Sequence, residues 1–297
     1  MNLASISIVV ALVLLNIAFV AGWIWSARRH RLRGLPGPGD IAIGCITTFL
    51  DTLGIGSFAP TTALFKFRGK PADELIPGTL NIGLNAAGFL ETILFIGAVN
   101  VQPSLLICTL ASSAAGAWLG ADVVSRMPRR SIQRFMGAAL LIAALFFALR
   151  NLGAFPEGGE AMALAGWRFA VAVIGAFIFG ALMCIGIGNY APLMIMLALL
   201  GMHPIAAFPI MMGSDGMLQP VASLGFFRSG RFAHVPALGL VVGSFIGVFT
   251  AFYIVKSLPL TTMRWLVTGV VMYAAVAMLR SARAESQART VAAIAPD

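Results

Sequence analysis

Two copies of one short motif lie 132 positions apart in the chain, GIGSFAP at 54–60 and GIGNYAP at 186–192. Five of the seven residues are identical, and each copy interrupts a long apolar stretch. The paired glycines let the backbone leave a helix without a Cβ penalty. Ser57 and Asn189 are favoured N-cap residues. The proline that ends each copy falls in the first turn of the next helix, where its missing N–H costs nothing.

Each motif therefore predicts a broken helix whose second half directs free backbone N–H groups and a positive dipole end at the break. Such helix ends bind anions, and in transporters two breaks at corresponding points of two halves indicate the binding site. A packing kink is the alternative for either motif alone. The residues expected to contact a substrate anion are Gly54, Gly56, Ser57, Phe58, Gly186, Gly188, Asn189 and Tyr190.

Three carboxylates lie within apolar segments: Asp51 just before the first motif, Glu91 within 73–98 and Asp215 within 205–227. A charged carboxylate is costly to bury in a membrane, so each is a functional candidate. None has a basic residue in its own segment, and a carboxyl without a cation suits a proton carrier. We expect Asp51, Asp215 and Glu91 to couple transport to an ion gradient. A hydrogen-bonded structural carboxyl is the alternative.

Further polar residues follow each break. Asn81 and Asn85 lie after the first, and Asp215 and Gln219 occupy the matching stretch after the second. Each pair is spaced i,i+4 and so shares one helix face. We expect Asn81, Asn85 and Gln219 to line a cavity below the breaks, with hydrogen bonds between helices as the alternative.

The sequence has no pattern of metal ligands or catalytic groups. Cys45, Cys108 and Cys184 all lie in apolar segments, which is typical of buried free thiols. The three histidines fall at segment ends, away from any cysteine or carboxylate cluster. We therefore predict no metal, no cofactor and no enzymatic activity.

The composition predicts a membrane protein. Hydrophobic residues make up 59% of the chain and charged residues 10%, against about half and about a quarter in soluble proteins. The net charge of +9 does not indicate nucleic-acid binding, because the basic residues cluster in the gaps between apolar segments, as the positive-inside rule requires. Segments long enough to span the bilayer are Met1–Trp25, Ser104–Val124, Ile132–Leu149, Phe169–Cys184, Ile205–Phe227, Val235–Val255 and Trp265–Leu279.

The basic clusters also predict the topology. If the broken stretches 41–65 and 168–200 each dip into the membrane and return, sixteen of the twenty Lys and Arg residues lie inside. If both stretches cross fully, two basic clusters face outward, against the rule. In the re-entrant arrangement, three crossings separate the two hairpins, so the two halves have opposite orientation. The segment Trp167–Cys184 is long enough to span alone, which is the alternative.

The predicted fold is an all-α polytopic membrane protein with two inverted repeats. Each repeat has a broken re-entrant helix hairpin followed by three transmembrane helices, and one extra helix precedes them. That first helix is read as uncleaved, rather than as a signal peptide, because its arginines follow the apolar run. The predicted regions are the N-terminal helix and basic loop (1–39), the first repeat (40–150), an external linker (151–166), the second repeat (167–280) and a disordered cytoplasmic tail (281–297).

Small residues recur on one helix of each half. Ser113, Gly116 and Gly120 in the first half match Ser244, Gly247 and Ala251 in the second at an offset of 131. This spacing lines one helix face and predicts close helix packing rather than substrate contact. Asp122, near the end of its segment, is expected to reach the basic loop at 126–130.

The chain resembles the TauE/SafE sulfite exporter family, also called the four-toluene-sulfonate uptake permease family. The resemblance rests on the tandem repeat, on the glycine-rich break early in each half, and on the second-half patterns 188–192, 201–204 and 226–230 (GNYAP, GMHP and FFRSG). It covers about residues 40–280. The first break departs from the commoner glycine run, since Asp51-Thr52-Leu53 precedes Gly54. The resemblance implies a bacterial inner-membrane carrier of sulfite, sulfoacetate or another organosulfur anion.

We therefore predict a secondary transporter that exports sulfite or a related sulfur oxyanion or organosulfonate, bound between the two breaks near the membrane midplane. A passive anion channel and an organosulfonate importer are the alternatives. The expected partners are the lipid bilayer, a small anion and a proton or cation as coupling ion, with no nucleic acid. The predicted location is the bacterial inner membrane, with the N-terminus outside and the C-terminus in the cytoplasm.

Overall fold

The computed structural model describes residues 3–31, 33–96, 101–154, 159–186 and 188–254, and the single positions 272, 276, 279, 280 and 283. The described part is all-helical, as predicted, and contains no β-strand. Its helices are α1 (Leu3–Arg29), α2 (Pro38–Thr52), α3 (Phe58–Arg68), α4 (Ile76–Gly83), α5 (Asn85–Ile96), α6 (Pro103–Arg126), α7 (Arg129–Asn151), α8 (Gly166–Met183), α9 (Tyr190–Leu199), α10 (Pro204–Ser229) and α11 (His234–Ile254). One 3-10 turn, Asp73–Leu75, precedes α4.

Four of the described helices are long and apolar enough to cross a membrane: Ile6–Arg29, Pro103–Arg126, Gly166–Met183 and His234–Tyr253. Their outer faces expose large apolar side chains, among them Leu14, Trp118 and Ile174. Exposed apolar surface on this scale fits contact with lipid. Two further predicted features, the crossing Trp265–Leu279 and the tail 281–297, lie almost wholly outside the described residues.

In each half, the first helix of the broken segment packs against a helix of the other half. Helix α2 packs along α11, and α8 packs along α6. The repeat offset relates α2 to α8 and α6 to α11, so these two interfaces correspond to each other. A Cβ atom added to Gly116 of α6 would clash with the carbonyl oxygen of Phe177, and one added to Gly247 of α11 would clash with that of Cys45. The predicted small-residue faces are thus confirmed as places where two backbones touch.

The two ends of the first broken segment lie close together in the fold. Arg68, the last residue of α3, forms a salt bridge with Asp40 near the start of α2. The left-handed cap at Gly69, with φ 65°, ends α3 at this point. The two outer ends of the segment therefore lie side by side, while the break lies in the interior.

The second broken segment has the same property. Ala161, shortly before α8, donates its N–H to Gly201 just after α9, and its carbonyl accepts from the N–H of His203 at 2.8 Å. Gly201 occupies the place of Gly69 at the repeat offset and has the same left-handed backbone, with φ 84°. The residues that flank this segment, Ala161 and Gly201, are therefore neighbours in the fold.

Most described basic residues gather at one end of the molecule, which we call the basic end. There Lys66 pairs with Asp73 at 2.9 Å, and Arg129 lies 3.3 Å from Glu74. Arg231 donates to the carbonyl of Met127 at 2.6 Å. Asp122 pairs with Arg126 at 2.7 Å, which confirms its predicted partner. Three of the basic clusters, at 66–70, 126–134 and 228–231, thus meet at one end of the described fold.

Residues 73–96 do not form one continuous helix. The chain makes the 3-10 turn and α4, bends at Leu84, and continues as α5. Gly83, a weak helix former, lies directly before the bend and packs against Leu240 of α11. The corresponding α10 stays one continuous helix despite Pro209 and Pro220.

Candidate functional site

The two helix breaks are buried in the centre of the helix bundle. The first joins α2 to α3, and the second joins α8 to α9. The chain turns through left-handed backbone at Gly54 (φ 76°), Gly56 (φ 97°) and Gly186 (φ 101°), which favours glycine at these positions.

The breaks contact each other in a reciprocal way. A Cβ atom added to Gly56 would lie 4.0 Å from Cβ of Tyr190, and one added to Gly188 would lie 3.7 Å from Cβ of Phe58. The offset of 132 exchanges these two contacts, since it relates Gly56 to Gly188 and Phe58 to Tyr190. The first residue of each half-helix thus faces the other half's break, and the glycines permit this approach.

The N-cap positions are as predicted, but the N-cap side chains act differently. Ser57 and Asn189 are the N-cap residues of α3 and α9, yet neither side chain caps its own helix. Ser57 Oγ donates to Asp51 Oδ2 at 2.6 Å, and Asn189 Nδ2 donates to Asp215 Oδ1 at 3.1 Å. Buried carboxyl groups need hydrogen-bond donors. Each of these two side chains therefore donates to a carboxyl instead of accepting from the N-terminus of its own helix. Ser57 and Asn189 thus leave the N–H groups of the first turns of α3 and α9 without a cap from the N-cap side chain.

Glu91 of α5 connects the two breaks directly. Its Oε1 accepts from Thr52, the last residue of α2, at 2.7 Å. Its Oε2 accepts from the hydroxyl of Tyr190, the first residue of α9, at 2.6 Å. One side chain therefore holds an element of the first half against an element of the second.

The three carboxyl groups form one buried cluster. Asp51, Glu91 and Asp215 are at most 1% exposed. Asp51 lies within electrostatic range of both other groups, and it also accepts from the backbone N–H of Ser57. The ion pairs formed by the described residues are at the basic end. Within the described part, His, Cys, Asp and Glu residues form no cluster that fits a metal ion.

The polar residues predicted to line a common cavity diverge. Asn85 Nδ2 donates to Asn16 Oδ1 of α1 at 2.8 Å, so it faces the N-terminal helix. Asn81 Nδ2 donates to Pro77 in its own helix at 2.9 Å. The bend at Leu84 separates the two asparagines, which were expected to share one face. Gln219 lies beside Gly88, where α5 crosses α10, one turn from Asp215.

Two threonines belong to this region and were not among the predicted site residues. Thr52 donates to Glu91, as described. Thr62 of α3 is fully buried, and its Oγ1 lies 4.0 Å from where a Cβ atom of Gly186 would be. Thr52 could have been included in the predicted site because it directly follows Asp51 in the sequence. Thr62 lies two residues after the end of the first motif, and only the tertiary contact identifies it.

Most described residues of the breaks are buried, and Ile185 and Gly188 are half-buried. Ser57, Phe58, Asn189 and Tyr190 are each no more than 3% exposed. Irregular backbone at membrane depth is tolerated where it is buried in protein in this way. The arrangement is a pair of helix N-termini, facing each other beside a cluster of carboxyl groups, in a region shielded from both ends of the molecule.

A protein-family model described as sulfite exporter TauE/SafE matches residues 1–147, about half of the chain. This part of the chain belongs to the TauE/SafE family. It includes the first break, Asp51 and Glu91, whereas the second break lies beyond the matched residues. The match confirms the family indicated by the sequence over residues 1–147, whereas the second-half patterns at 188–192, 201–204 and 226–230 lie beyond it. Together with the apolar helices, it supports a multi-pass membrane protein. No curated protein and no solved structure matches the chain.

Proposed function

We propose that the protein is a secondary transporter that exports sulfite or a related small sulfur oxyanion or organosulfonate. The observation that carries this proposal is the contact between the two breaks, where the N-termini of α3 and α9 approach each other and neither N-cap side chain caps its own helix. The TauE/SafE description supports the substrate class.

The chemistry of the breaks suits a small anion. Each helix N-terminus carries roughly half a positive charge together with unpaired N–H groups. Two such ends provide about one positive charge in total without any lysine or arginine. Gly56 and Gly188 leave room for backbone to approach a ligand, as a Cβ atom there would meet only Tyr190 and Phe58. In this proposal the anion lies between Ser57 and Asn189.

The carboxyl cluster supplies the coupling. Asp51 holds the N-cap residue of α3, so a bound anion would come close to it. Two unit charges about 4 Å apart repel each other by about 4 kcal/mol at an effective dielectric constant of about 20. The anion therefore binds when Asp51 carries a proton or a bound cation, and occupancy of the two sites is linked. Asp215, which holds the other N-cap residue, is the alternative carrier of this role.

The proposed topology is an inverted repeat of re-entrant hairpins with its basic end in the cytoplasm. It is supported by the paired outer ends of each broken segment and by the gathering of basic residues at one end. The exchanged packing of α2 on α11 and α8 on α6 is what a two-fold relation between the halves would give. In such transporters one half moves against the other around a fixed central site.

Transport into proteoliposomes tests the proposal. The purified protein is reconstituted and offered labelled sulfite, thiosulfate, sulfate and sulfonates, with and without a pH gradient. We expect a sulfur oxyanion or sulfonate to accumulate with the gradient, and this accumulation to be lost when a protonophore collapses it. Accumulation no greater than in protein-free liposomes for every anion would contradict the proposal. Sustained currents far above carrier turnover in a voltage-clamped bilayer would favour a passive channel instead.

A further inference from the structure

Thr62 differs from the other buried threonines of the described part. Each of the others has its hydroxyl within hydrogen-bond distance of the carbonyl four residues earlier, which is the ordinary arrangement in a buried helix, and Thr52 and Thr92 each have a second acceptor as well. These are Thr47, Thr48, Thr52, Thr61, Thr79, Thr92 and Thr109. Among the described residues, Thr62 Oγ1 has no hydrogen-bond partner although the residue is fully buried. A buried hydroxyl without a partner is unfavourable, so a local helix carbonyl would be the expected acceptor.

The direction of this hydroxyl indicates why it is left free. Thr62 belongs to α3, in the first half, but its Oγ1 lies 4.0 Å from the Cβ position of Gly186 in the second break. Met136 lines the same position at 3.1 Å. At Gly54, the equivalent glycine of the first break, the nearest atoms belong to the ring of Phe208 at 3.7 Å. The second break therefore has a polar donor beside it, and the first break has an aromatic wall.

We propose that Thr62 is a substrate-binding residue that donates a hydrogen bond to an oxygen of the transported oxyanion at the second break. This inference rests on the proposed function and adds a specificity-determining contact to its site. The residue that matches Thr62 at the repeat offset is Met194, which has no donor. The site is therefore asymmetric at this position: α3 offers a hydroxyl there and α9 offers none. A sulfite or sulfonate group has three oxygens and can accept from all of these donors together.

The test compares Thr62→Val with Thr62→Ser and with Thr109→Val. Valine keeps the shape of threonine and removes the hydroxyl, whereas serine keeps the hydroxyl. Thr109 is equally buried but donates within α6, so its valine variant controls for losing a buried hydroxyl elsewhere. The probes are sulfite and methanesulfonate, and the readouts are the Kd of the full-length protein in nanodiscs and the ligand-free Tm.

We expect Thr62→Val to raise the Kd roughly tenfold or more, as loss of a hydrogen bond to a charged group does. Its ligand-free Tm should stay at or above that of the parent, because the hydroxyl has no protein partner to lose. Thr62→Ser should restore binding, and Thr109→Val should lower the Tm without changing the Kd.

Each other result overturns the inference in a recognisable way. If the parent binds the anion and Thr62→Val binds it equally well, Thr62 is not a substrate contact, and the proposed function stands. If Thr62→Val lowers the Tm as much as Thr109→Val does, the hydroxyl has a structural role. If the parent binds neither sulfite nor methanesulfonate, the inference and the proposed substrate class both fail.

Discussion

Asp51 shares the N-terminus of α3 with the site proposed for the anion, since both the hydroxyl and the N–H of Ser57 bind this carboxyl. A neutral Asp51 leaves a helix end that attracts negative charge, whereas an ionised Asp51 competes for the same donors. The residue is 1% exposed, so no solvent screens the competition. Under the proposed function, this competition would link anion binding to the protonation of Asp51.

Asp51→Asn is expected to bind the anion as well as the parent but to lose accumulation driven by a pH gradient. The amide keeps an acceptor for Ser57 and cannot carry a proton. Anion exchange at equal pH on both sides should continue, which separates lost coupling from lost folding. Asp122→Asn, which removes only the exposed ion pair with Arg126, should accumulate substrate as the parent does.

The same assay on Glu91→Gln and Asp215→Asn identifies which member of the cluster carries the coupling. If Asp51→Asn accumulates substrate with the parent's pH dependence, Asp51 is a structural hydrogen-bonding group. Coupling then belongs to whichever of the other two variants loses accumulation while it retains exchange.

The sequence predicted the positions of the key residues better than their partners. N-cap types at Ser57 and Asn189 follow from local preferences, and both residues do begin a helix. That their side chains bind Asp51 and Asp215 depends on where buried carboxyls find donors in three dimensions. The pairing of Asn85 with Asn16 joins residues 69 positions apart, and no local spacing contains that information.

At the scale of helices, the chain builds its interior from close backbone contacts. The glycines of α6 and α11 face carbonyl oxygens of α8 and α2, and these contacts fix the helices that lead to the breaks. Their regular spacing made the contacts predictable, because an i,i+4 pattern depends only on helix geometry. The bend at Leu84 was not predictable in the same way, because glycine is also frequent in membrane helices that continue without a bend.

Gly116→Ala and Gly247→Ala should each destabilise the protein. Alanine has a better helix propensity than glycine by up to about 1 kcal/mol, but its Cβ would meet a backbone carbonyl that cannot move aside. Overpacking of this kind typically costs about 1–3 kcal/mol, so the net effect is a lower Tm in detergent. Gly37→Ala is the matched control, because a Cβ atom there meets nothing within 4 Å. An unchanged Tm for both variants would mean that these interfaces are looser than the structure has them.

At the scale of the whole molecule, the basic end and the paired outer ends of the broken segments both support the proposed re-entrant topology. Arg68 follows the first break, and its salt bridge returns it to Asp40, which precedes that break. Arg126 ends α6 at the same end of the molecule, while the exposed Glu160 lies at the opposite end, next to Ala161 and Gly201. If α2 and α3 instead crossed the membrane as one span, positions 40 and 68 would be a bilayer apart, about 30 Å.

Arg68→Cys and Arg126→Cys, each made in a background without Cys45, Cys108 and Cys184, should resist impermeant thiol reagents in intact cells. Both should react once the reagent is given access to the cytoplasmic face in inverted vesicles, because positive residues are retained inside. Glu160→Cys should react from outside and proves that the reagent reaches the protein. Labelling of position 68 in intact cells, with position 126 protected, would show that the first broken segment crosses the membrane. The inverted repeat would then fail, because the number of crossings between the two breaks would change.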